Sequence, residues 1–302
     1  MDLSANKGSE TILELQKHHK GSSVRKLDFL SPEKLITAAK SVKVYDLDSG
    51  KFVRKLENKE KTRLYSLKPI NENVFFTGDD VGTLKMFDLR TGDEPLMNEK
   101  QNEDYLSDMD IDSSNRILLT TSGDGHLSAF NVKSKKFVLQ SEPFDSGFQS
   151  VRYLGHRNKV VVGAEDGALN IFNVGEWGNI SDRLPLSKRR SFGECSIDGI
   201  EVVSDRLIIA SGSDGGLRLV SMFPNKILCC TDDHDGEIEC IHYNPKTELV
   251  ISAETDRVLV HRLQMNGDAE EQAEVDANEE DSKRSKKHRS GSKPSNSFFS
   301  DL

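Results

Sequence analysis

The amino-acid sequence predicts an all-β fold of the propeller class, on three observations. A ten-residue phrase, Ser122-Gly123-Asp124-Gly125-His126-Leu127-Ser128-Ala129-Phe130-Asn131, recurs in weaker copies along most of the chain. The copies return at a nearly constant interval, and the segments between them read as short strands broken by Gly, Asp and Pro turns. In the phrase a Gly/Asp turn hands over to a strand whose apolar Leu127, Ala129 and Phe130 flank the polar Ser128.

The copies run Asp80 to Asp88, Asp166 to Asn173 and Asp214 to Ser221, with degenerate versions at Ser41 to Asp46 and Asp256 to Arg262. One slot of the phrase holds Tyr45, Phe87, Phe130, Phe172, Val220 and His261, at intervals of 42, 43, 42, 48 and 41 residues. A period of this length is that of one propeller blade, a sheet that cannot bury both faces alone and must stack on like sheets.

Each unit is read as a set of short strands. The first takes Val24 to Phe29, Lys34 to Ala38, Ser41 to Leu47 and Lys51 to Leu56, with turns at Ser31-Pro32-Glu33 and Asp48-Ser49-Gly50. The second takes Leu64 to Lys68, Asn73 to Thr77 and Thr83 to Leu89; the third Met109 to Ile111, Ile117 to Thr121 and His126 to Val132. The fourth takes Gln149 to Leu154, Lys159 to Gly163 and Ala168 to Val174; the fifth Ile197 to Val202, Leu207 to Ser211 and Gly216 to Met222. The sixth takes Glu237 to Tyr243, Glu248 to Ser252 and Arg257 to Leu263, and lacks an outer strand. A clean alternation of apolar and polar positions is expected within these strands.

The interval of 48 marks an interruption at Gly175 to Ser196, expected to be a long surface loop. It carries the sole tryptophan, Trp177, and the basic run Lys188-Arg189-Arg190, a candidate contact for a partner or RNA. Ahead of the first unit, residues 1–10 read as a flexible terminus and Thr11 to Lys17 as an orphan strand. That strand either completes the sixth unit and closes a ring of six, or belongs to a seventh blade whose inner strands are missing from a shortened chain. The blades thus occupy residues 11–265.

Residues 266–302 change character. An acidic run from Asp268 to Asp281 precedes the basic Lys283-Arg284-Ser285-Lys286-Lys287-His288-Arg289, and the chain ends Phe298-Phe299-Ser300-Asp301-Leu302. Segregated charge with few apolar residues cannot build a core, so this tail is expected to be disordered. Lys283, Arg284, Lys286, Lys287 and Arg289 form a candidate nuclear import signal; Phe298, Phe299, Asp301 and Leu302 form a candidate docking motif.

Composition narrows the function. Of 302 residues 30% are charged, with a net charge of -9, which makes sequence-specific DNA binding a poor first expectation. The four cysteines show no Cys-x-x-Cys spacing and no apolar run approaches a membrane span, so a reducing intracellular setting with no membrane contact is expected. No phosphate-binding loop, nucleophile elbow or zinc-protease motif occurs, and no cofactor or enzymatic activity is expected. His234, Cys240 and His242 fall short of a metal set, for want of a suitable fourth ligand, and burial is expected for them; Cys229-Cys230 reads as core filling within a strand. The Asp/Gly turns specify fold, because Asp accepts from turn amides and Gly takes positive φ.

Tyr45-Asp46 and Phe87-Asp88 stand where WD40 repeat proteins usually carry Trp-Asp, and the chain resembles that family, although no copy keeps the tryptophan. Thr77-Gly78-Asp79-Asp80, Thr121 to Gly125, Ser181-Asp182-Arg183, Pro224-Asn225-Lys226 and the terminal Phe298 to Leu302 resemble the WD repeat-containing protein 55 family in order and spacing. That resemblance implies a seven-bladed relative whose first blade has no counterpart here, and a nuclear, nucleolar scaffold acting with preribosomal proteins in ribosomal RNA production. Val74 to Arg90 is also similar to the box by which WD40 substrate receptors dock on the damaged-DNA-binding adaptor of cullin ubiquitin ligases. That second resemblance makes Asp88 and Arg90 candidate adaptor-docking residues.

Overall fold

The structure, a computed structural model, describes residue 19 and residues 21–155, 158–186, 195–231 and 233–263. The expected strand at Thr11 to Lys17, the basic run Lys188 to Arg190 and the tail from 266 onward lie outside the described residues.

The described residues form six antiparallel sheets, each following the last along the chain and each built as a propeller blade. They fall into two units, the first holding the sheets up to Pro185 and the second the sheets beyond Asp198. In the first unit, sheet one is β1 (Lys26–Ser31), β2 (Lys34–Ala38), β3 (Ser41–Asp46) and β4 (Lys51–Glu57). Sheet two is β5 (Leu64–Pro69), β6 (Val74–Asp79), β7 (Thr83–Asp88) and β8 (Met97–Lys100). Sheet three is β9 (Leu106–Ile111), β10 (Ile117–Ser122), β11 (Leu127–Asn131) and β12 (Lys136–Gln140). Sheet four is β13 (Phe148–Leu154), β14 (Lys159–Ala164), β15 (Ala168–Asn173) and β16 (Asp182–Pro185). The second unit holds β17 (Ile197–Ser204), β18 (Leu207–Gly212), β19 (Leu217–Ser221) and β20 (Lys226–Thr231), then a three-stranded sheet of β21 (Cys240–Asn244), β22 (Leu249–Ala253) and β23 (Val258–Arg262).

The middle strands depart from the expected alternation. Every residue of β6 and β7 is buried, because both faces of a blade are covered. Phe75 and Phe76 show how. Successive strand residues point to opposite faces, and Phe75 joins a cluster with Ile36, Val44 and Leu56 of sheet one. Phe76 joins one with Leu106, Leu118 and Phe130 of sheet three. A third cluster packs Leu119 and Ala129 against Phe148, Val160 and Phe172, joining sheets three and four. Within the second unit Ile209 and Leu217 pack on Tyr243 and Val250. Hydroxyls add fixed points between sheets: Ser66 Oγ donates to Leu106 O at 2.7 Å and Ser107 Oγ to Phe148 O at 2.6 Å.

The strands that the pattern did not reveal are the outer β8, β12 and β16, while the strand expected around Cys229-Cys230 proves to be the outer β20. The first three are short and largely exposed, so neither length nor periodicity marks them. Two inner strands start later than their patterns suggested, β1 at Lys26 and β21 at Cys240. The interruption after the fourth unit is only partly loop: it supplies β16, and Trp177 is buried against the third cluster, with Tyr153 edge-on at 6.1 Å. Cys229 and Cys230 are exposed rather than core filling, because they lie on the outer strand β20.

Candidate functional site

The turn that carries the repeated phrase is a hydrogen-bonding device. Gly125 has φ +80°, and a Cβ there would stand 2.3 Å from the carbonyl oxygen of Phe144. The Asp124 carboxylate accepts from Glu103 N at 2.8 Å, His126 N at 3.1 Å and the Asn102 amide at 3.1 Å. Burial works against its charge, but the Glu103 N–H and the Asn102, Ser122 and His126 side chains outweigh it and hold the carboxyl below its ordinary pKa. Asp166 and Asp214 accept from turn amides at the corresponding places, and Asp79, at the position of Ser122, accepts from Val81 N and Thr83 N. The phrase therefore specifies a turn, and His126, drawn to Asp124 at 3.1 Å, belongs to it.

The three-stranded sheet of the second unit contains an arrangement that sequence reasoning missed. His234 is buried, with Nδ1 3.0 Å from Glu254 Oε2 and Nε2 2.7 Å from Ser252 Oγ. Carboxylate, imidazole and hydroxyl stand in the order of a hydrolytic triad. Ser252 is completely buried, however, so no substrate carbonyl reaches its Oγ. Just before sheet three Asn102 plays a like part, joining Ser128 Oγ of β11 to Asp124, although Ser252 lies on β22, the second strand of its sheet. Both arrangements tie the approach to a sheet to its own strands and turn, which marks them as blade-bracing networks. Of the sequence's rejected metal group only His234 is buried; Cys240 and His242 are exposed on β21. Among the described residues no group of three His, Cys, Asp or Glu side chains could hold a metal.

Asp88 and Arg90, the candidate docking pair, lie together at the end of β7. Arg90 Nε and Nη2 donate to the two carboxylate oxygens of Asp88 at 2.9 and 2.7 Å, and Arg90 N donates to Oδ1 at 2.9 Å. The Arg90 side-chain bonds, followed by its backbone N–H, bring the Asp88 carboxyl down to about 2. Asp88 is buried while the Arg90 side chain is 67% exposed. The carboxylate thus holds a guanidinium in one orientation at the surface, with one edge already engaged.

A family model described as WDR55 matches residues 2–261 of the chain. The chain belongs to the WDR55 family. WD repeat-containing protein 55 of Homo sapiens is 35% identical over 222 residues, 73% of this chain and 54% of that protein. The Rattus norvegicus protein is 34% identical over the same extent, and the Aedes aegypti homolog 30% identical over 249 residues, 82% of this chain and 52% of that one. The chain spans about half the length of these curated relatives. A solved structure of the computationally designed Ika8 protein superposes with a TM-score of 0.65 at 19% identity, covering 83% of this chain and 74% of that one, which supports the fold alone.

In this WDR55-family chain three of the resembling segments lie at strand ends, and Phe298 to Leu302 lies outside the described residues. Thr77 to Asp80 closes β6, Thr121 to Gly125 leads from β10 into β11, and Ser181 to Arg183 opens β16. Asp166 draws Arg183 into an ion pair, so that last segment ties the outer strand to the blade's own Asp/Gly turn.

Proposed function

We propose that this WDR55-family chain is a non-enzymatic scaffold that works in the nucleolus in ribosomal RNA production. The observation that carries the proposal is the family match from residue 2 to 261, which spans every blade. Scaffolding follows from the architecture: rigid sheets present many turns, and binding residues concentrate on turns held by such a frame. Lys283 to Arg289 would serve import, Phe298 to Leu302 would dock a preribosomal protein, and Lys188, Arg189 and Arg190 would touch a partner or RNA. Depletion should cause ribosomal RNA precursors to accumulate, with the tagged protein concentrated in nucleoli. Unchanged precursors together with a cytoplasmic tag would overturn the proposal.

The fixed, exposed guanidinium of Arg90 favours a second reading, docking on the adaptor of a cullin ubiquitin ligase. Recovery of the adaptor with the native chain and its loss with Arg90→Ala would support this; equal recovery removes Arg90 as the docking residue.

A further inference from the structure

The first unit carries a cationic cleft that neither the fold nor the family accounts for. Arg25 before β1, Lys40 in the β2–β3 turn and Arg63 before β5 line one cavity of ≈ 200 Å³ together with Ser22, Ser23, Gly21, Ala39 and Leu64. Backbone bonds pin these three segments side by side: Arg25 N donates to Ala38 O at 3.0 Å, and Leu64 N to Ala39 O at 2.7 Å. The cleft is thus set by the end of the β1–β2 pair and by the single backbone bond that joins sheets one and two.

Its charge is unbalanced. No carboxylate lies within ion-pair distance of Arg25, Lys40 or Arg63 among the described residues, although the whole chain has a net charge of -9. Asp80 stands beside the cleft through its Oδ1, which accepts the backbone N–H of Arg63 at 3.0 Å rather than pairing with the guanidinium. Arg25 instead lies over the Tyr65 ring at 4.2 Å, and Tyr65 lies against Tyr105 with centroids 5.0 Å apart and the rings tilted by 34°. Three cations that line one cleft without an ion-pair partner favour an oxyanion seated among them. Two guanidinium forks, an ammonium and two serine hydroxyls supply the donors that a phosphoryl group takes.

We propose that this cleft binds one phosphoryl group, carried on a phosphoserine or phosphothreonine of an extended peptide. Two features favour a peptide over a nucleic-acid strand. Beyond Tyr105 the surface turns acidic, with Asp104 beside Tyr105 and Glu165 3.3 Å from the Tyr105 hydroxyl. A chain of phosphates would be repelled there, whereas a single phosphate followed by neutral residues is not. The half-buried Tyr65–Tyr105 pair then offers an aromatic ledge for a neighbouring side chain.

The inference stands on the first unit's geometry and is independent of the nucleolar reading. The test retains the full chain on two immobilised peptide pools, degenerate but for a central phosphoserine or a central serine, with a labelled single-stranded RNA as a third arm. The native chain should prefer the phosphoserine pool, and Lys40→Ala/Arg63→Ala should weaken that retention by about tenfold or more. Lys133→Ala/Lys136→Ala removes the same charge from exposed positions elsewhere and should leave retention unchanged. Lys40→Glu, a single reversal in an exposed turn, should reproduce the loss in a chain whose melting is native. Equal retention of both pools, or equal losses from both double variants, would overturn the proposal. Preferential RNA binding lost with Lys40→Ala/Arg63→Ala would overturn it in favour of a nucleic-acid phosphate.

Discussion

Replacing Asp88 by Asn removes the charge on which the end of β7 is organised while keeping its shape. The native carboxyl is held at about 2 against an ordinary 3.8. A folded pKa below the unfolded one stabilises the protein above the unfolded value, and that stability is lost as pH falls through the folded value. The window is therefore from just under 4 down to about 2. A shift of this size corresponds to a ceiling of roughly 2.5 kcal/mol at about 1.4 kcal/mol per unit. Because the partner side chain is 67% exposed, water screens the pair, and Asp88→Asn should cost ~1 kcal/mol at neutral pH. Urea denaturation of native and variant chains should show that difference at pH 7 and its disappearance near pH 2. In a carboxyl titration followed by NMR, Arg90→Ala should move Asp88 upward without restoring it fully, since the backbone N–H of residue 90 still donates. A native Asp88 that titrates near 3.8, or a difference that does not change with pH, refutes the reasoning.

Gly125→Ala should destabilise by about 2 kcal/mol or more, because residue 125 has φ +80° and the added Cβ meets a backbone carbonyl at 2.3 Å; a thermal melt indistinguishable from native would contradict the turn. Phe76→Ala should cost about 3–5 kcal/mol in denaturant unfolding, since the ring is wholly buried between sheets two and three. Trp177, the sole tryptophan, is 4% exposed, so its emission should be blue-shifted in the native chain and move to longer wavelength as the first unit unfolds. Ser252→Ala should cost ~1–3 kcal/mol by leaving the buried His234 Nε2 without its 2.7 Å partner. An unchanged melting temperature would show that the network braces nothing.

Much of the fold was legible because repetition is a one-dimensional signal. The slot holding Tyr45, Phe87, Phe130 and Phe172 returns at blade length, and the Asp/Gly turns before it need particular residues for local reasons that reading along the chain exposes. The outer strands escaped because an exposed edge imposes no pattern: Lys136–Gln140 reads like a loop until its pairing with β11 is seen, and the strand around Cys229 and Cys230 has no place in a blade until its pairing with β19 is seen. Cys229 and Cys230 were misplaced for the same reason, since an apolar run does not say which strand of a blade it forms.

The candidate sites divide along the same line. Asp88 and Arg90 are two residues apart, so their pairing was accessible from sequence, and their geometry follows from one turn. Ser252, His234 and Glu254 form one network across 18 and 20 positions, and Arg25, Lys40 and Arg63 share a cleft although each precedes or joins a different strand. Local order, period and turn chemistry are properties of neighbours along the chain, and the sequence alone determined them. Which charges share a cleft depends on how sheet two is set against sheet one, where Leu64 N meets Ala39 O. Only the tertiary structure decided that, because electrostatic energy depends on distance through space rather than separation along the backbone.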